Sequence, residues 1–104
     1  EAKGEIVAGT EQPVFYWKDS PAVSGMAFYN SDKFPQWQQK LFIGALKDKD
    51  VIVMSVNGDK VTEDGRILTD RGQRIRDVRT GPDGYLYVLT DESSGELLKV
   101  SPRN

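Results

Sequence analysis

Turn-forming clusters divide this sequence into pieces too short for anything but β-strands. Asn57-Gly58-Asp59, Glu63-Asp64-Gly65, Gly81-Pro82-Asp83-Gly84 and Ser93-Ser94-Gly95 each place Gly or Asn where a positive φ costs little. The runs between them are short and rich in β-branched and aromatic residues, which predicts strands over 23–29, 40–46, 51–56, 66–69, 76–80, 85–90 and 96–101. Only 34–47 competes as a helix, and Pro35 and Gly44 interrupt it, leaving room for at most one helical turn. Upstream, residues 1–12 are polar without a sustained period and read as a connection. The apolar run Val14-Phe15-Tyr16-Trp17 is closed by the turn-like Lys18-Asp19-Ser20-Pro21.

The strand runs also repeat. Leu41-Phe42-Ile43 returns 45 residues later as Leu86-Tyr87-Val88, and Ile52-Val53 returns at the same offset as Leu97-Leu98, with no gap. Short antiparallel strands recurring about every 40 to 50 residues are the signature of propeller blades of about four strands each. Two aliphatic hairpins can also align this way by accident. Residues 23–69 supply four strands and 76–101 only three. The predicted fold is therefore all-β: about two four-stranded antiparallel blades of a propeller, the last lacking its outer strand. The expected division is a connecting segment at 1–13, a first blade at 14–72 and an incomplete last blade at 73–104.

Composition removes several function classes. Cysteine and histidine are both absent, so thiolate nucleophiles, disulfides, and the commonest general base and zinc ligand are excluded. Any catalysis must draw on carboxylates, Lys, Tyr or an imported group. A net charge of -2 gives no basic excess to attract nucleic acid or anionic lipid, and no apolar run approaches the length of a membrane span. The chain starts at Glu1, which suggests a segment of a longer or processed protein.

Arg74 and Arg76 flank Ile75, and at strand spacing they point to one face. Two converging guanidiniums make sense if they grip a carboxylate or phosphate, or if Asp77 or Asp91 neutralises them; a solvated charged face is the plainer alternative. Lys47 ends the apolar run 41–46 and, alone, reads as a surface lysine. Phe15-Tyr16-Trp17 could wall a planar ligand or sugar, or simply be core. Trp37 beside Pro35 is assigned to packing. Asp48 and Asp50 around Lys49 resemble a turn more than a calcium loop. Arg66 has no proposed ligand role, and its replacement by Ala is expected to be close to neutral for ligand binding.

Three stretches carry a family resemblance: Phe42-Ile43-Gly44-Ala45-Leu46-Lys47, Arg74-Ile75-Arg76-Asp77-Val78, and Gly81-Pro82-Asp83-Gly84-Tyr85-Leu86-Tyr87-Val88-Leu89-Thr90-Asp91. In this order they resemble the C-terminal blades of the soluble quinoprotein glucose/sorbosone dehydrogenases, most closely the periplasmic aldose sugar dehydrogenases that use pyrroloquinoline quinone. The resemblance implies a six-bladed propeller whose cofactor lies across one mouth, and oxidation of an aldose at C1 to the lactone. It implies that Lys47, Arg74 and Arg76 hold the quinone's carboxylates, that Ala45, Leu46 and Ile75 line the cofactor site, that Asp91 orients Arg76 and that Trp17 stacks near the sugar. The family's histidine base and calcium ligands have no counterpart here, so no catalytic or metal residue is assigned, and the isolated chain is expected to be inactive. Implied partners are the aldose and the remaining blades or other copies of the chain, without nucleic acid or membrane insertion. The alternative reading is a non-catalytic two-blade module that self-assembles and binds a glycan or protein.

Overall fold

In the computed structural model the structure describes residues 5–7, 13–17, 19–58 and 60–100, with 5–7 and 13–16 described by backbone alone. Strands β1 (Glu5–Val7) and β2 (Pro13–Tyr16) pair as a two-stranded antiparallel sheet. Strands β3 (Val23–Tyr29), β4 (Lys40–Ala45), β5 (Asp50–Asn57) and β6 (Lys60–Ile67) form a four-stranded antiparallel sheet in the order β3-β4-β5-β6. Strands β7 (Ile75–Thr80), β8 (Leu86–Thr90) and β9 (Leu97–Val100) form a three-stranded meander. The chain is all-β, built of one complete blade and one that lacks a fourth strand among the described residues.

The blades pack through one shared core. Tyr29, Phe42, Val51 and Val53 of the first sheet are buried against Ile75, Val78, Leu86 and Val88 of the second. The link between β3 and β4 closes over it: a single 3-10 turn at Pro35–Trp37 stacks Trp37 on Phe34 at 4.1 Å and tilts it against Phe42 at 4.7 Å. This is the one helical turn expected in 34–47, and Trp37 is packing as assigned. The Tyr29 hydroxyl donates to the Gly84 carbonyl at 2.6 Å, tying the first blade to the β7–β8 turn. On the far face of the first sheet, Ile43, Ala45, Ile52, Met54 and Val61 make a second core, with Trp17 packed against it.

Three details depart from the sequence reading. The outer strand β6 begins at Lys60, not at residue 66, because Glu63-Asp64-Gly65 is a bulge rather than a turn: Val53 pairs with Gly65 and Met54 with Glu63, leaving Asp64 as the extra residue. Asp-Gly chemistry suits either feature. Next, the repeat is not gapless. Gly44 pairs with Val51 but its counterpart Leu89 pairs with Leu97, so the β8–β9 connection holds one more residue than β4–β5. The structural partners of Ile52 and Val53 are then Leu98 and Lys99, since a one-residue slip would put every side chain on the wrong face. Finally, the connection at 1–13 contains β1, whose three residues are too few to show a period. The side chains of Phe15 and Tyr16, and Asp59 and Ser101 entirely, lie outside the described residues.

Candidate functional site

Antiparallel pairing fixes which connections share an edge. Val23 pairs with Ala45, Ala45 with Asp50 and Ile75 with Thr90. The start of β3, the β4–β5 turn, the start of β7 and the β8–β9 loop therefore lie on one rim. Gly44 joins the two sheets there: a Cβ on it would sit 2.7 Å from Ile75 Cγ2, so only glycine lets β4 approach β7 this closely. The Ser24 hydroxyl locks the seam by donating to the Ile75 carbonyl at 2.5 Å.

Every residue singled out in 45–47, 74–76 and 91 stands at this rim. Ala45 is buried and Leu46 half-buried, while Lys47 is exposed. The Leu46 and Lys47 amides donate to the Ala22 and Pro21 carbonyls at 2.9 and 3.0 Å, which holds the first half of the turn. Lys49, at φ 61°, reverses the chain into β5. Ile75 is buried, whereas the side chains of Arg74 and Arg76 are 53% and 62% exposed, so both guanidiniums are open to a ligand. Arg76 Nη2 meets Asp91 Oδ1 at 2.7 Å and Arg74 Nη2 stands 4.0 Å from Asp91 Oδ2. The pairing of β7 with β8 shifts register across Arg76, and one carboxylate holds both forks on the same side.

The loop that supplies Asp91 is itself fixed. The Asp91 amide donates to the Arg74 carbonyl at 2.7 Å, and the Arg74 amide donates to Glu92 Oε2 at 3.2 Å. At the loop's end Glu96 accepts from Arg71 and Gln73, and those hydrogen bonds, Gln73's first, lower its pKa. Among the described residues the rim thus sets Lys47, Arg74 and Arg76 against one carboxylate, Asp91, paired to both guanidiniums, an arrangement suited to a ligand with several anionic groups.

Trp17 belongs to the second core of the first sheet. It packs on the far face of the first sheet, and its indole Nε1 donates to Glu63 Oε1 at 3.1 Å. Sequence reasoning missed what surrounds it. Arg66 Nη1 bonds Asp48 Oδ2 at 2.8 Å and Asp50 Oδ2 at 3.2 Å, and its Nε bonds Glu63 Oε2 at 2.9 Å. Burial raises the Asp50 pKa, with Arg66 pulling it back down; the Arg66 hydrogen bond holds Glu63 low. Arg66 is therefore a hub of three carboxylates rather than a bland surface residue. The signal was the clustering of Asp48, Asp50 and Glu63, which only the register of β5 against β6 brings round one guanidinium.

Two propeller blades joined at a cationic rim define the class of this molecule. A sequence profile of the Glucose / Sorbosone dehydrogenase family matches residues 2–99, and the chain belongs to that family. Two solved structures described as glucose dehydrogenase are similar, at 59% and 60% identity, each with a TM-score of 0.85. They cover 91% and 98% of this chain, which spans 30% of each of theirs. An uncharacterized protein of Synechocystis sp. is 40% identical over 88 residues, covering 85% of this chain and 21% of its own length. Among the described residues no helix is long and apolar enough to cross a membrane.

Proposed function

We propose that this chain forms the cofactor-clamping blades of a periplasmic quinoprotein dehydrogenase that oxidises aldose sugars at C1 to lactones with pyrroloquinoline quinone. The observation that carries this reading is the seam at Gly44 and Ile75, which puts Lys47, Arg74 and Arg76 on one rim where, among the described residues, Asp91 is the one carboxylate paired to the two guanidiniums. That donor set fits a rigid tricarboxylate: two planar forks and one flexible ammonium can each take a carboxylate, with Asp91 keeping the forks aimed. Ala45 and Ile75, both buried, give the rim a stiff floor, and Leu46 offers an apolar edge. When bound, the quinone accepts the two electrons that leave the sugar's C1. Calcium, which the family resemblance also implies, finds no matching cluster among the described residues, where no three carboxylate or imidazole groups could hold a metal ion. The chain has no histidine, so the base that takes the sugar hydroxyl proton comes from other blades.

Exposed apolar side chains on both flanks support those other blades. Met26 and Phe28 are 48% and 52% exposed on the outward face of the first sheet, and Leu97 is 68% exposed on the outward face of the second. In a six-bladed ring these flanks meet neighbours. The test is reconstitution of the full-length apo-protein. Aldose-dependent dye reduction is expected with pyrroloquinoline quinone and not with nicotinamide cofactors, and the absence of quinone-dependent oxidation would refute the reading.

A further inference from the structure

We propose that Arg66 is a positioning residue for Lys47, an inference that rests on the cofactor-clamp reading above. Lys47 sits in the four-residue turn between Ala45 and Asp50. The first half of that turn is held by the backbone bonds of Leu46 and Lys47 to Ala22 and Pro21. Among the described residues the second half has no such bond to the body of the sheet, and it contains Lys49 at φ 61°, a conformation a lysine does not favour. Asp48 and Asp50 stand on either side of Lys49, and Arg66 Nη1 bonds both, at 2.8 and 3.2 Å. One guanidinium from the outer strand therefore clips the turn shut beside Lys47.

Arg66 can do this because its own place is determined. Arg66 pairs with Ile52, which shares a face with Asp50, so the guanidinium reaches Asp50 along the diagonal of the ladder. Glu63 fixes the other edge of the fork through Nε at 2.9 Å, and Trp17 in turn donates to Glu63. The side chain of Arg66 is only 25% exposed, less than half the exposure of Arg74 or Arg76. It is spent on internal carboxylates and is not offered to a ligand.

The sign of two charge changes separates positioning from a general electrostatic field. For an anionic cofactor, a field effect makes Arg66→Gln bind more weakly and Asp48→Asn bind more tightly, because the first removes a positive and the second a negative charge. Positioning makes both weaker, since the first removes the clip and the second loosens its hold on residue 48 by taking away the charge that strengthens it. Full-length apo-protein and its variants are titrated with pyrroloquinoline quinone while thermal unfolding is followed. Each variant is expected to bind about tenfold more weakly, and neither adds to the loss in a Lys47→Ala background. Asp48→Asn binding as tightly as the parent, or tighter, overturns the proposal. So does full additivity with Lys47→Ala. Asp48 is exposed and its replacement leaves the Arg66–Asp50 pair in place, so this variant decides the matter even if Arg66→Gln does not fold. If Lys47→Ala itself binds normally, the clamp reading fails first and the positioning role falls with it.

Discussion

One methyl group at Gly44 tests the seam on which the rim depends. The added Cβ would lie 2.7 Å from Ile75 Cγ2, 2.9 Å from Ser24 Oγ and 3.2 Å from Val78 Cγ2. Carbon pairs are most favourable at about 3.5–4.0 Å, so Ile75 would have to retreat by about 1 Å. It cannot swing toward solvent, being 2% exposed, and Val78 is fully buried. The Ile75 carbonyl is also tied to Ser24 Oγ at 2.5 Å, so β3 and β7 must part together. Such overpacking costs about 1–3 kcal/mol, partly offset by the roughly 0.5–1 kcal/mol that alanine gains over glycine within a strand. The net loss, between about 0 and 2.5 kcal/mol and centred on roughly 1 kcal/mol, lowers Tm by several degrees, at about 4–8 °C per kcal/mol for a domain of this size. Gly65→Ala is the control, because its Cβ would meet nothing within 4 Å. Calorimetry of parent and both variants is the assay. A Gly44→Ala protein melting at or above the parent would show that the two strands are not in contact here.

Other expectations can be checked separately. Arg76→Ala in the full-length protein should weaken quinone binding by roughly 1.5–3 kcal/mol, about ten- to a hundredfold, without lowering Tm, as followed by titration of the apo-protein. The isolated chain should reduce no dye with aldose, quinone and calcium, because it carries no histidine base; aldose-dependent turnover above a no-protein blank would refute this. With Met26, Phe28 and Leu97 exposed and the outer edge of β9 unpaired among the described residues, the isolated chain should associate, and light scattering from a stable monomer at high micromolar concentration would count against it. Arg66→Ala should destabilise the fold by about 1–3 kcal/mol in urea titrations at neutral pH.

What was legible in the sequence follows from the range of the forces involved. Turns and strands are local, so Gly81-Pro82-Asp83-Gly84 and the runs flanking it identified β7 and β8 to within a residue. The outer strand was misjudged because β6 carries the exposed Lys60, Thr62, Glu63 and Asp64 and buries only Val61, so its alternation is faint. The repeat was seen but its gap was not, since Leu97 and Leu98 look alike in sequence and differ only in the face they present. Residue types alone left Asp77 and Asp91 both open as neighbours of the two arginines, and the fold sets Asp91 against Arg76. The Arg66 hub is non-local. Its carboxylates lie 18, 16 and 3 residues away in the chain and meet only through register.

The pH dependence of the Arg66→Ala loss identifies its cause. In the parent, burial raises the Asp50 pKa and Arg66 opposes that rise. Removing Arg66 leaves burial unopposed, so the Asp50 pKa climbs further and the charged form becomes the costly one. At neutral pH the variant must keep a buried, unpartnered carboxylate. As pH falls toward the raised pKa, the folded state takes up a proton that the unfolded state does not yet bind, and the variant regains stability. Glu63 acts in the same direction. Its pKa in the parent is held low chiefly by the Arg66 hydrogen bond, a contribution present above its ordinary pKa and lost as pH falls, and one the variant never had. The gap between parent and variant must therefore be widest near pH 7 and narrow toward pH 4. Urea unfolding at both pH values measures it directly. A gap that stays constant would mean that Arg66 stabilises by packing its aliphatic stem alone. If charge is the cause, Asp50→Asn combined with Arg66→Ala should restore much of the lost stability at pH 7 and add little at pH 4.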